Sequence, residues 1–111
     1  MSYTFKNLHI EKIAIIGAGQ IGPDIALHFA KNLAAHQVHI ALIDISEEAL
    51  LSARNKILSK LTKAQEKGTL SGDAANRMMN QFQFTRNYEA AASAQIVVEA
   101  ATENSSITEH I

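Results

Sequence analysis

Gly17, Gly19 and Gly22 frame the segment Gly17-Ala18-Gly19-Gln20-Ile21-Gly22, a G-x-G-x-x-G pattern. Glycine turns are common, so the pattern acquires meaning from what flanks it. A first glycine permits a tight turn, a second lets a pyrophosphate approach the backbone, and a third lets a following helix sit close to the preceding strand. The amides and positive dipole of a helix start then bind phosphate. Asp44 stands roughly 20 residues beyond the last glycine, where a carboxylate accepts hydrogen bonds from ribose hydroxyls. An acid there favours NAD, because a 2′-phosphate would meet a like charge, and Ile45 and Ser46 follow without a compensating cation. The alternative role for Asp44 is to cap the next helix, for which Ser46 is already placed.

These residues require a strand, a turn and a helix in strict succession, and the chain supplies them. Lys12 to Ile16 is a short apolar β-branched run, as in a parallel strand buried on both faces. Ile25, Ala26, Phe29, Ala30 and Leu33 follow at helical spacing, with Asp24 near the positive end. Val38 to Ile43 reads as a second strand, and Ser46 with Glu47 and Glu48 opens a long helix reaching about Glu66. Lys67 to Gly72 is a turn, Asp73 to Asn80 a further helix, and Phe82 to Phe84 a short strand. Tyr88 to Ala94 reads as helical, Ile96 to Val98 as another buried strand, and Ser105 or Ser106 as the start of a last helix. This order predicts an α/β fold, a Rossmann-type doubly wound parallel sheet of about four strands with helices on both faces.

Composition agrees with one globular domain over residues 1–111. Hydrophobic residues make up 47% and charged residues 19%, and a formal net charge of −1 gives no electrostatic reason to expect nucleic acid or an anionic membrane as partner. The absence of cysteine removes disulfides, thiolate metal sites and thiol nucleophiles. No apolar run approaches the roughly 20 residues of a membrane helix, and the first ten residues lack a secretion signal's pattern. The expected setting is cytoplasmic.

The run from Lys12 to Gly22, the pairs Ile25-Ala26 and Phe29-Ala30, the end of the second strand at Leu42-Ile43-Asp44-Ile45-Ser46, and Val97-Val98-Glu99-Ala100-Ala101-Thr102-Glu103-Asn104 together resemble the N-terminal NAD-binding domain of 3-hydroxyacyl-CoA dehydrogenases. The likeness covers nearly the whole chain, and the last segment is its most specific part. The resemblance implies reversible hydride transfer between C3 of a 3-hydroxyacyl-CoA and NAD, in fatty-acid metabolism, by an oxidoreductase expected to be a homo-oligomer. It places the pyrophosphate on Gly17, Gly19, Gln20, Ile21 and Gly22, the ribose on Asp44, the cofactor also against Glu103, and CoA against Lys67. Without the resemblance, Lys67 reads as a solvated lysine at a helix C-terminus. Glu99 and Glu103 read either as a catalytic pair or, preferably, as one cofactor contact and one helix cap.

Three departures stand out. Asp24 occupies a place where the family usually has a small residue, Thr108 replaces a lysine, and the connection between Ala30 and Val38 is longer and lacks its glycine, leaving Asn32 and His36 to close the helix. The family's catalytic histidine segment and the helical domain after it have no counterpart in these 111 residues; His9, His28, His36, His39 and His110 match no such motif. The expectation is therefore of cofactor binding without turnover, and of an open apolar edge on the Ile96 strand that promotes self-association. Two other readings remain: a non-catalytic NAD or nucleotide-binding module, and a dehydrogenase of another small hydroxy acid.

Overall fold

A computed structural model describes residues 3–5, 8–19, 21–33, 38–100 and 106–109. A two-stranded antiparallel ribbon comes first, β1 (Tyr3–Phe5) against β2 (Leu8–Ile10). It was not foreseen from the sequence. Among the described residues the main sheet has five strands: β3 (Lys12–Ile16), β4 (His39–Ile43), β5 (Phe82–Thr85), β6 (Ile96–Glu99) and β7 (Ser106–Glu109), in the order β5-β4-β3-β6-β7. The first four run parallel, and β7 pairs with β6 antiparallel, Val97 opposite Thr108.

The segment from Ser106 is a strand, not a helix start, so the sheet gains a strand beyond the predicted four. β6 is consequently an interior strand and does not present the open apolar edge expected to promote self-association. Tyr88 to Ala94 also shortens, to a 3₁₀ helix over Tyr88–Ala91 capped by Asn87, whose Oδ1 accepts from Glu89 N at 2.9 Å.

Strand periodicity divides the core in two. Ile13 and Ile15 of β3, Ile40 and Leu42 of β4, and Val98 of β6 belong to the larger cluster, under α1 (Gly22–Leu33), α2 (Glu47–Glu66) and α3 (Gly72–Gln81). Each helix offers an apolar stripe at spacings of three and four, such as Leu50, Ala53, Ile57 and Leu61 on α2. Ala14, Ala41, Ile43 and Val97 form the second cluster, where the small strand side chains admit the 3₁₀ helix through Ala90 and Ala91. At the N-terminal edge of β3, Gln95 Oε1 accepts from the amides of Glu11 (2.7 Å) and Lys12 (2.9 Å).

Chain direction decides where a ligand can sit. From β3 the chain moves outward to β4 and β5, then crosses back to place β6 on the other side of β3. The strand order therefore reverses between β3 and β6, and the crevice beyond their C-terminal ends is where open α/β sheets bind ligands. The glycine segment begins there.

Candidate functional site

Gly17 leaves β3 with its amide bonded to Ile43 O at 2.7 Å and with φ of 103°, a left-handed value that disfavours any residue with a Cβ. Gly22 starts α1 against the turn so closely that a Cβ on it would lie 2.3 Å from Gly17 O. Pro23, buried behind it, occupies the first helical turn, where no backbone donor is needed. A Cβ at Gly19 would meet no atom within 4 Å. The protein's own packing thus demands glycine at 17 and 22 and leaves position 19 open to the outside, which suits an approaching phosphate. In the first turn of α1 Pro23 has no amide and Ile25 N is bonded to Ile21 O at 3.0 Å, so Gly22 and Asp24 carry the helix-start amides that could serve an anion.

Asp44 follows β4 and joins the turn to α2. Its Oδ2 accepts from Ala18 N and its Oδ1 from Ser46 N, both at 2.9 Å. A carboxylate has about four lone-pair sites, so acceptor capacity remains on both oxygens for ribose hydroxyls. The cap of α2 is Ser46, whose Oγ accepts from Ala49 N at 3.2 Å, so Asp44 is not consumed by that role.

Beside the turn lies an open cleft of about 520 Å³. Ala18, Gly19 and Pro23 form one wall; the cap Ser46 and, from α2, Glu48, Ala49, Ser52, Ala53 and Lys56 stand on the other. Asp24, exposed in the first turn of α1, pairs with Lys56 at 3.3 Å and with Lys60. The hydrogen bond from Lys60 holds the Asp24 carboxyl below its ordinary range, with Lys56 reinforcing and partial burial opposing. On the far side of Asp44, Arg86 Nε donates to Ile45 O at 2.9 Å and its guanidinium lies 3.6 Å from Glu47, steadying the chain after the acid. Arg86, Lys56 and Lys60 were not singled out from the sequence as site residues. Each acts on a partner more than 30 positions away, a relation that local patterning does not carry.

The remaining sequence candidates are dispersed. Ile21 is exposed at the turn. Lys67 caps the C-terminus of α2, its amide bonded to Lys63 O, while Gly68 N and Thr69 N close a Schellman turn on Gln65 O and Ala64 O. It lies at the opposite end of α2 from Asp44. Glu99, exposed, ends β6 level with Ile16. Gln20, His36 and Glu103 lie outside the described residues. Among the described residues no cluster of His, Asp or Glu has the makings of a metal site, and no helix is long and apolar enough to cross a membrane.

Residues 12–111 match the family model for 3-hydroxyacyl-CoA dehydrogenase, NAD binding domain. The chain belongs to this family. Similar curated proteins include 3-hydroxyadipyl-CoA dehydrogenase of Escherichia coli K12, 31% identical over 86% of this chain, and 3-hydroxybutyryl-CoA dehydrogenase of Mycobacterium tuberculosis, 26% identical over 92%. A crystal structure of 3-hydroxybutyryl-CoA dehydrogenase from E. coli superposes with a TM-score of 0.77 at 33% identity, over 87% of this chain and 20% of that one. This NAD-binding domain spans 19% and 34% of the two curated relatives. The expected fold class and cofactor are those of the family.

Proposed function

We propose that the chain is the NAD-binding part of an oxidoreductase that moves a hydride between C3 of a 3-hydroxyacyl-CoA and NAD in fatty-acid metabolism, in the cytoplasm and as a homo-oligomer. The observation that carries the reading is Asp44, held between Ala18 N and Ser46 N with acceptor sites to spare beside an open glycine turn. Family membership and the acyl-CoA dehydrogenases among its relatives support the substrate class.

In this reading Gly17, Gly19, Gln20, Ile21 and Gly22 hold the pyrophosphate through backbone amides, Asp44 orients the ribose, Glu103 contacts the cofactor and Lys67 pairs with CoA phosphate. When bound, NAD supplies a nicotinamide ring that accepts the hydride. The residues here bind and orient it; proton removal from the substrate hydroxyl needs a base at the C-terminal edge of the sheet. His39 begins β4 at the opposite edge and His28 is exposed on α1, so neither is placed for that task.

Calorimetry of the 111-residue chain with NAD, NADP and CoA tests the proposal. The expected result is binding of NAD in preference to NADP, binding of CoA, and no reduction of NAD with a hydroxyacyl-CoA. NAD binding with indifference to CoA would favour a nucleotide module or a smaller hydroxy acid. Light scattering reads the oligomeric state.

A further inference from the structure

We infer that Lys56 and Lys60 are positioning residues of the cofactor site, which act by cancelling the charge of Asp24 at the phosphate-binding end of α1. The inference rests on the reading that the glycine turn holds a pyrophosphate. Asp24 is the third residue of α1. A carboxylate there stabilises a free helix start, but it does so by occupying the field that an anionic ligand would use, and it repels that ligand. A site built to bind pyrophosphate would be weakened by its own sequence unless the carboxylate were neutralised.

The structure contains the neutralising groups. Lys56 and Lys60 are one helical turn apart on α2, so both project from the same face, and both ammonium groups reach Asp24 across the α1 to α2 contact. Asp24 contributes one negative charge, and the ammonium groups of Lys56 and Lys60 offset it at the start of α1; Glu48 on the same cleft adds a carboxylate that makes this offset matter more. Lys56 also lines the cleft shared with Gly19 and Pro23, which places this cationic group on the same cavity as the open face of the turn. Removing both lysines would leave the Asp24 carboxylate without the ammonium groups that offset it, while every glycine stays in place.

A structural tie between two helices and a charge correction predict different rescues. Lys56→Met with Lys60→Met breaks both; adding Asp24→Asn to that background restores neutrality but cannot restore the tie. NAD titration by calorimetry at low and high ionic strength, with thermal unfolding of each ligand-free variant, separates them. The expected result is that the double variant binds NAD roughly fivefold more weakly at low salt, that the loss shrinks at high salt, and that Asp24→Asn recovers most of the affinity without recovering the melting temperature. Unchanged NAD affinity in the double variant, or an affinity that follows the melting temperature through all variants, overturns the inference. Lys60→Met alone carries the same salt-dependent test if the double variant does not fold. Failure of the unsubstituted chain to bind NAD would overturn the pyrophosphate reading itself, and this inference with it.

Discussion

Gly22 and Gly17 meet so closely that the space for a Cβ on the former is taken by the carbonyl oxygen of the latter, 2.3 Å away. The end of β3 and the start of α1 are thereby brought to backbone contact, and the open side of the turn is left to position 19. The two glycines 19 and 22 are equally conspicuous in sequence, yet they answer to different demands.

Alanine substitution should separate those demands. Gly22→Ala forces the turn apart and should cost about 1–3 kcal/mol, in the range of overpacking. Gly19→Ala meets nothing inside the protein, so its unfolding midpoint should stay near the unsubstituted value while NAD affinity falls. Urea unfolding and calorimetry on the pair check this; equal destabilisation by both would refute the distinction.

Asp44→Ala deletes the acceptor for two backbone amides, Ala18 N and Ser46 N. A loss of about 1 kcal/mol in stability is expected, because the amide of Ala18 is part-buried and that of Ser46 is open to water. The preference for NAD over NADP should narrow as well, since the like charge opposing a 2′-phosphate is gone. Titration with both nucleotides reads the ratio.

Ser46→Ala removes the cap of α2 and should destabilise the chain by about 1 kcal/mol. Ser71, whose Oγ accepts from Ala74 N at 3.1 Å, does the same for α3 and should give a similar value. Chemical denaturation of both variants provides the comparison, and a neutral effect at Ser46 would show that α2 is held by packing alone.

The Asp24 carboxyl is depressed below its ordinary 3.8, first through the Lys60 hydrogen bond. A depressed acid contributes stability that is complete above its unfolded value and is lost as pH falls through the folded one. Acid unfolding below about pH 4 should therefore be shallower in Asp24→Asn than in the unsubstituted chain. The side chain is 48% exposed, so solvent screens the pair and high salt should shrink the difference. Urea midpoints measured stepwise from neutral to acid pH test the sign.

The readable parts of this molecule are those whose cause is local. α2 shows its apolar stripe, its Ser46 cap and its end at Glu66 in adjacent residues, and the structure returns the same limits. The glycine turn was legible for the same reason: strand, turn and helix follow one another directly. β7 was misread because Ser106-Ile107-Thr108-Glu109 opens with a plausible cap, and four residues carry too little alternation to outweigh it. What makes it a strand is pairing to β6, a relation invisible in the segment itself. In sequence Asp24 reads as a misplaced charge; the lysines that answer it stand 32 and 36 positions later. Gln95, reaching back to the amides of residues 11 and 12, escaped notice for the same reason.

The length of α2 has a further consequence. Its 20 residues extend roughly 30 Å, whereas the five residues of β4 rise only about 17 Å. Its buried positions stop at Leu61, and the last turn and the Schellman closure around Lys67 are largely exposed. Opening of that tip exposes little apolar surface and can proceed without disturbing Ser46 or Asp44. Amide exchange along α2 should accordingly run as a gradient, slow at Leu50 and fast beyond Lys63, giving one helix a rigid end beside the glycine turn and a locally unfolding end at Lys67.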